Sequence, residues 1–498
     1  MKQKNPILFQ VNTRVFLNEI SRRINRRATL DDIPDEKITG WSNAGFDWIY
    51  LLSVWQTGEA GRQISRTNPI WRREFEETLI DLEEQDIVGS GFAIKGYEAS
   101  DAIGGAEALQ RFRKRIAARG MKLMLDFVPN HMAPDHPWVQ DHPDYFIRGA
   151  EADINRAPEN FARVRRTHDE LILAYGRDPY FSGWPDTIQL NYGNHHLQEA
   201  MKKQLLHVAT QCDGLRCDMA MLLLTDVFNQ TWGIGIDPFW PDANRRVKVN
   251  NPGFVMMGEV YWDLGYEMQQ QGFDYTYDKR LYDRLLTGEA TPVRDHLKAS
   301  LDYQEKLARF LENHDEQRAA SVFPWEAHQA AAILTFLTPG LKFFHRGEFQ
   351  GHKVKVSPHL GRGPDESPNP LIDTFYKNLL KVLNRPLFHE GDWCLVEPLP
   401  AWDDNPTYIN FIAFTWSYQD ELVLAIVNYA SFQGQSRIRP PLQDLKGYTL
   451  SLQDLIHDEA YQRDGTELSQ TGLYVDLPGW GFHLFEITKA PPAPLKGK

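Results

Sequence analysis

Short apolar runs alternate along most of the chain with stretches whose apolar residues recur every three or four positions. Eight runs read as strands: ILFQVNT (7–13), FDWIYLLSV (46–54), KLMLDFV (122–128), GLRCDMA (214–220), FVMMGEV (254–260), FDYTYD (273–278), ARFLEN (308–313) and ILTFLT (333–338). They are near-continuously apolar, as expected for strands covered on both faces. Between them lie helical patterns. Leu197, Met201, Leu205 and Val208 make one apolar stripe, and GGAEALQRFRKRIAARG (104–120) closes on Gly120 at a helix end. Strand followed by helix, eight times over, predicts a parallel sheet closed into a (β/α)8 TIM barrel.

Two regions break the alternation. Roughly sixty residues between the third run and a helix starting near Asn194 are rich in Asp, Pro, Arg and aromatics, and a connection that long is a small domain or a functional loop. After about residue 390 the pattern is purely β: FIAFTWSY, ELVLAIVNYA, YTLSLQDL and FHLFEITK, separated by turn residues. The expected layout is a barrel over 1–131 and 190–388, an inserted domain over 132–189 and a C-terminal antiparallel β-sandwich over 389–498. The last residues, APPAPLKGK, read as a disordered tail.

Composition narrows the function classes. The 498 residues are 42% apolar and 24% charged, an ordinary globular balance. A net charge of -13 repels phosphate backbones and gives no basic patch for an anionic membrane, so neither nucleic acid nor membrane is expected as a partner. Three cysteines, Cys212, Cys217 and Cys394, make neither a disulfide framework nor a metal-binding cluster. The N-terminus has no signal-like apolar core. The longest apolar stretch is broken by Pro339 and Gly340. Together these features predict a cytoplasmic protein. Nothing in them fixes the oligomeric state.

In such a barrel the C-terminal ends of the strands carry the chemistry. Four apolar runs stop abruptly in polar groups: Asp126 with Asn130 and His131, Arg216 with Asp218, Glu259 with Tyr261 and Trp262, and Glu312 with His314 and Asp315. Paired carboxyls on one rim suit glycosidic bond cleavage through a covalent sugar intermediate. Arg216, two residues before Asp218, shares its strand face and is expected to hold its pKa low. Tyr261 and Trp262 are expected to desolvate Glu259 and keep it an acid. Each residue also has a plainer reading. Asp218 and Arg216 can be a barrel salt bridge, His131 and His314 structural histidines, Asp126 scaffold, and Tyr97 packing.

The four stretches resemble the four signature regions of the α-amylase family of glycoside hydrolases: DFVPNH, GLRCDMAML, GEVYW and ENHDEQR, in order. WPDTIQLNY is similar to the auxiliary motif late in the family's inserted domain, and GYEASD to the stretch after strand two. The resemblance covers nearly the whole chain. It implies Asp218 as nucleophile, Glu259 as acid/base and Asp315 as transition-state stabiliser. It implies Arg216, His131, His314 and Tyr97 as cleavage-subsite residues, and Asp101, Tyr261 and Trp262 in the same stretches are further candidate substrate-binding residues. It further implies an α-glucan or oligosaccharide substrate, no cofactor for the chemistry, and a structural calcium ion at Asn130. One departure stands out. Met221 and Leu222 occupy the positions where many family amylases carry Lys-His, which predicts a drier acceptor side. That favours glucan transfer as the rival to hydrolysis, with a non-catalytic sugar-binding barrel as a third reading. Trp232, Phe239 and Trp240 read either as loop packing or as a sugar platform.

Overall fold

The computed structural model describes residues 4–442 and 444–490. Eight parallel strands close a barrel: β1 (Ile7–Asn12), β2 (Trp48–Leu52), β3 (Lys122–Phe127), β4 (Gly214–Cys217), β5 (Val255–Gly258), β6 (Tyr275–Tyr277), β7 (Leu307–Arg309) and β8 (Leu341–His345), with β1 pairing β8. Alternate residues serve two cores. Leu8, Tyr50, Met124, Met257, Tyr275 and Phe343 fill the barrel interior. Ile7, Phe9, Ile49 and Leu125 face the surrounding helices. That is why the runs carry no polar alternation.

Six strands fall within the expected runs, and β7 overlaps ARFLEN but starts one residue earlier, at Leu307. The eighth does not. ILTFLT lies in the helix Trp325–Phe336 and its end, and the barrel closes with Leu341–His345 instead. Residues 330–336 are buried on every side, so the helix shows no amphipathic stripe and its sequence looks like a covered strand. The helix His195–Gln211 buries Leu197, Met201, Leu205 and Val208, and Asn194 caps it by accepting from the His196 N–H.

Between β3 and that helix lie short helices, the hairpin Phe161–Arg165/Glu170–Ala174, and the strand Ile188–Gln189, which pairs back on His131–Met132. Beyond the barrel, β9 (Asp392–Val396), β10 (Phe411–Tyr418), β11 (Glu421–Asn428), β12 (Thr449–Asp454), β13 (Ala460–Asp464) and β14 (Phe482–Ala490) form an antiparallel sheet in the order β9-β10-β11-β14-β12-β13. A three-stranded sheet (Pro398–Leu399, Gly434–Ile438, Leu473–Leu477) accompanies it, and the two share an apolar core. The larger sheet is bound to the barrel by the Trp416 indole donating to Leu337 O at 2.6 Å and the Tyr429 hydroxyl donating to Leu285 O at 2.8 Å. The predicted tail past Ala490 lies outside the described residues. No helix among them is long and apolar enough to cross a membrane.

Candidate active site

The strand register builds the site. Arg216 on β4 lies opposite Asp126 on β3 and Met257 on β5, so its side chain stands inside the barrel mouth between two carboxyl-bearing strands. The chain after β4 continues the ladder, with Asp218 N–H donating to Phe127 O and Glu259 N–H to Cys217 O. Asp218 and Glu259 therefore emerge side by side.

One guanidinium grips both. Arg216 Nη1 lies 2.7 Å from Asp218 Oδ1 and Nη2 lies 2.7 Å from Glu259 Oε2. Asp126 and Asp315 stand slightly farther from it, at 3.6 and 3.8 Å. Four carboxyls thus share one buried cation. Burial pushes Asp218 well above the usual carboxylate range. Arg216 opposes this, and Glu259 and Asp126 reinforce it. The expected depression of Asp218 by Arg216 is therefore reversed: the contact is present, but desolvation and neighbouring negative charge outweigh it. Burial likewise lifts Asp126 to about 6 and raises Asp315. In each of these three acids burial favours the protonated form, and Arg216 opposes it.

Supporting bonds orient the set. Glu259 accepts from the Met219 N–H at 2.6 Å and from the Tyr261 hydroxyl at 2.8 Å. Met219 adopts a left-handed φ of 41°, a costly backbone for a non-glycine residue, and that turn is what points its N–H at Glu259. Gln10 Nε2 donates to His314 Nδ1 at 3.0 Å, which puts the ring proton on Nε2, 3.1 Å from Asp315 Oδ2. Burial keeps His131 neutral, with its pKa lowered to about 3.

Arg216, His131, Asp218, Glu259 and Asp315 line a cavity of about 250 Å³ together with Phe92, Trp184, Asp186, Met219 and His359. The other sequence expectations do not line it. His314 reaches it only through Asp315, and Tyr261 lines a neighbouring cleft. Tyr97 is buried, and its hydroxyl donates to Val128 O, so no ring face is offered to a sugar. Phe92 takes the aromatic position instead, 5.2 Å from the Arg216 guanidinium. Asp101 begins an exposed turn that borders a different cleft. Trp262 lines a neighbouring cleft and meets Tyr180 edge-on at 4.9 Å. Met221, Leu222, Phe239 and Trp240 are core residues, which removes both the sugar platform at 239–240 and the argument for a drier acceptor side.

Asp186 was visible only as part of a motif. Its carboxyl is buried, Oδ2 has no hydrogen-bond partner among the described residues, and burial lifts its pKa to about 7. Phe92 and His359 carried no sequence signal, because each comes from a loop whose path the strand pattern does not encode.

A calcium ion does not fit at Asn130. Its side-chain oxygen accepts from Gln189 Nε2 at 3.0 Å and its amide donates to Gln189 Oε1 at 3.1 Å, so both ends are occupied. No cluster of carboxylates surrounds them among the described residues.

Residues 45–367, about two thirds of the chain, match the family model for the α-amylase catalytic domain. The chain belongs to the α-amylase family. Alpha-amylase MalA of Haloarcula japonica is 24% identical over 71% of this chain and 50% of its own length. Alpha-amylase 3 of Dictyoglomus thermophilum is 24% identical over 54% of each chain. The chain spans about half the length of these family members. Among solved structures, the maltogenic α-amylase AmyB of Thermotoga neapolitana superposes with a TM-score of 0.69 at 17% identity, covering 97% of this chain and 99% of that one. At that identity it shares the fold.

Proposed function

We propose that this family member is a retaining glycosidase that cleaves α-glucosidic bonds in α-glucans or oligosaccharides. The observation that carries this reading is the meeting of Asp218, Glu259 and Asp315 at one small cavity around Arg216. In the first step Asp218 attacks the anomeric carbon as Glu259 gives its proton to the departing glycosidic oxygen. Asp315, about a third exposed, faces the positive charge that develops on the ring. In the second step Glu259 takes a proton from water, whose oxygen displaces Asp218 and restores the starting configuration. The carboxyls supply all of this chemistry, and no cofactor takes part.

A cavity of about 250 Å³ is smaller than the roughly 300–1,000 Å³ that takes drug-sized ligands, so it holds one sugar ring and not a chain. We assign Asp186 to that ring's hydroxyls, because a buried carboxylate oxygen lacking a partner costs free energy that a bound hydroxyl relieves. The rest of the substrate runs outward past Trp262 and Tyr180, a residue 59% exposed. That aromatic rim favours a second reading, transfer to a sugar acceptor stacked there in place of water. The three cysteines are unpaired, which supports a reducing compartment such as the cytoplasm.

Time-resolved products from maltoheptaose, starch, pullulan, trehalose and sucrose test both readings. Shortening of an α-glucan or oligosaccharide supports hydrolysis, and products longer than the substrate mark transfer. Inertness toward all five would overturn the proposal.

A further inference from the structure

The C-terminal sheet carries a cluster of a different kind. Asp454 ends β12, His457 sits in the turn that follows, and His483 is the second residue of β14. One ligand atom from each lies within 4.8 Å of the other two. Both imidazoles present Nδ1 to the same oxygen: Asp454 Oδ2 is 3.3 Å from His457 Nδ1 and 2.8 Å from His483 Nδ1. The other oxygen, Oδ1, accepts the backbone N–H groups of Ile456 and His457, each at 2.9 Å. Backbone therefore fixes the carboxylate and leaves Oδ2 aimed at the two rings. His483 is stacked on Phe485 at 4.5 Å and His457 packs on Phe482 at 4.7 Å, so neighbours on β14 hold both rings.

We propose that Asp454, His457 and His483 form a binding site for a divalent transition-metal ion of the zinc class, independent of the glucan site. Two imidazoles and one carboxylate are the donor set such ions prefer. The 3.3 Å separation between Asp454 Oδ2 and His457 Nδ1 matches the edge of a tetrahedron with metal–ligand bonds of about 2.0–2.1 Å, and the 2.8 Å separation to His483 Nδ1 is shorter by about 0.5 Å, which an ion seated between them would open. Asp454 is fully buried while His457 is 36% exposed, so the site has a closed back and an open side where water completes the coordination. The backbone bonds to Oδ1 are the kind of support that orients metal-binding carboxylates. Each imidazole binds the ion through a deprotonated Nδ1, and any proton held there leaves to solvent on binding.

The site ties a turn to a strand. Leu455 and Ile456, inside the same turn, pack against the barrel core, and Leu455 N–H donates to Leu484 O. A bound ion would cross-link β12 and β14 beside the seam between sheet and barrel. Its expected effect is on stability, since ligand binding only to the folded chain raises the melting temperature. None of the three residues lines the catalytic cavity.

Chelator-treated, untagged full-length protein is titrated with zinc chloride by calorimetry, with cobalt(II) absorption as a spectroscopic probe. The expected result is one tight equivalent per chain, a tetrahedral cobalt spectrum and a higher melting temperature. Loss of one ligand in His457→Gln should weaken binding by more than the roughly 10–100-fold typical of losing a supporting contact. His457→Ala/His483→Ala should abolish the tight equivalent. His457→Gln, at a half-exposed turn position, keeps the test valid if the double variant fails to fold. Calcium, which prefers oxygen ligands, should not compete. Equal zinc binding by wild type and His457→Gln, or an octahedral cobalt spectrum unchanged by the substitutions, would overturn the site.

Discussion

Two buried carboxylate clusters sit at the ends of adjoining barrel strands and have opposite charge balance. After β6, Asp278 meets two nitrogen partners: His296 Nε2 at 2.8 Å and Arg309 Nε at 3.0 Å, with the Leu281 N–H as a third donor. Burial alone would push this carboxyl up, yet the partners hold it down at about 2. After β4 and β5 the ratio is inverted, with four carboxyls around the single guanidinium of Arg216. Asp218 and Glu259 are as buried as Asp278. What differs is the count of partners, and it separates a carboxyl held charged to brace the fold from a crowded set arranged for chemistry.

The largest contrast is between substitutions in the two clusters. Asp218→Asn removes the nucleophile, and Glu259→Gln removes a proton donor worth about 10²–10⁴-fold in rate. Both should abolish or nearly abolish turnover in steady-state assays while leaving the melting temperature unchanged or raised, since each relieves buried like-charge crowding. Asp278→Asn should do the reverse. It strands Arg309 without a counter-charge, which costs about 3–5 kcal/mol of stability, and leaves activity per folded molecule intact. The comparison breaks if Asp218→Asn unfolds the chain or if Asp278→Asn is as stable as wild type by denaturant melts.

The clusters should also respond to pH with opposite sign. Asp186 in the catalytic cavity is raised from 3.8 to about 7, so the fold favours its protonated form. That contribution is complete below pH 4 and is lost as pH rises through 7. Asp278 is lowered from 3.8 to about 2; its contribution is present above pH 4 and is lost as pH falls through 2. Asp186→Asn should therefore gain stability over wild type on going from pH 4 to pH 8, by on the order of 4 kcal/mol at most. Asp278→Asn should lose part of its deficit as pH drops toward 2. Parallel stability–pH curves for wild type and Asp186→Asn would show that the carboxyl is paired or hydrated in solution.

The barrel was legible in the sequence because covered parallel strands are apolar on both faces and end where polar chemistry begins. Asp218, Glu259 and Asp315 each stop such a run, so position in the chain predicts position on the rim. ILTFLT failed by the same logic: a helix buried all round is apolar all round, and only Pro339–Gly340 separates it from the true β8. Tyr97 was misplaced because the sequence shows a ring near strand two but not which way the segment Ile94–Ala99 faces once it pairs with Trp55–Thr57. The direction in which the Asp218 pKa moves was misread for a related reason. Arg216 was visible as a neighbour two residues away, whereas Asp126 and Glu259 crowd it only through the register of β3, β4 and β5.

The finest test of the comparison is a hydroxyl. Tyr261 donates to Glu259 Oε1 at 2.8 Å, while the Arg216 guanidinium holds the other oxygen, Oε2. In the Asp278 cluster a bond of this kind would mainly affect stability. In the carboxyl-rich cluster it should set the orientation of one acid, because Glu259 must give and take a proton in a fixed geometry in each turnover. Tyr261→Phe keeps the ring and removes only the donor. A hydrogen bond to a charged group contributes about 1.5–3 kcal/mol, so kcat/KM should fall by about ten- to a hundredfold. A drop in melting temperature with an unchanged kcat/KM would assign Tyr261 to bracing alone and erase the functional distinction between the two clusters.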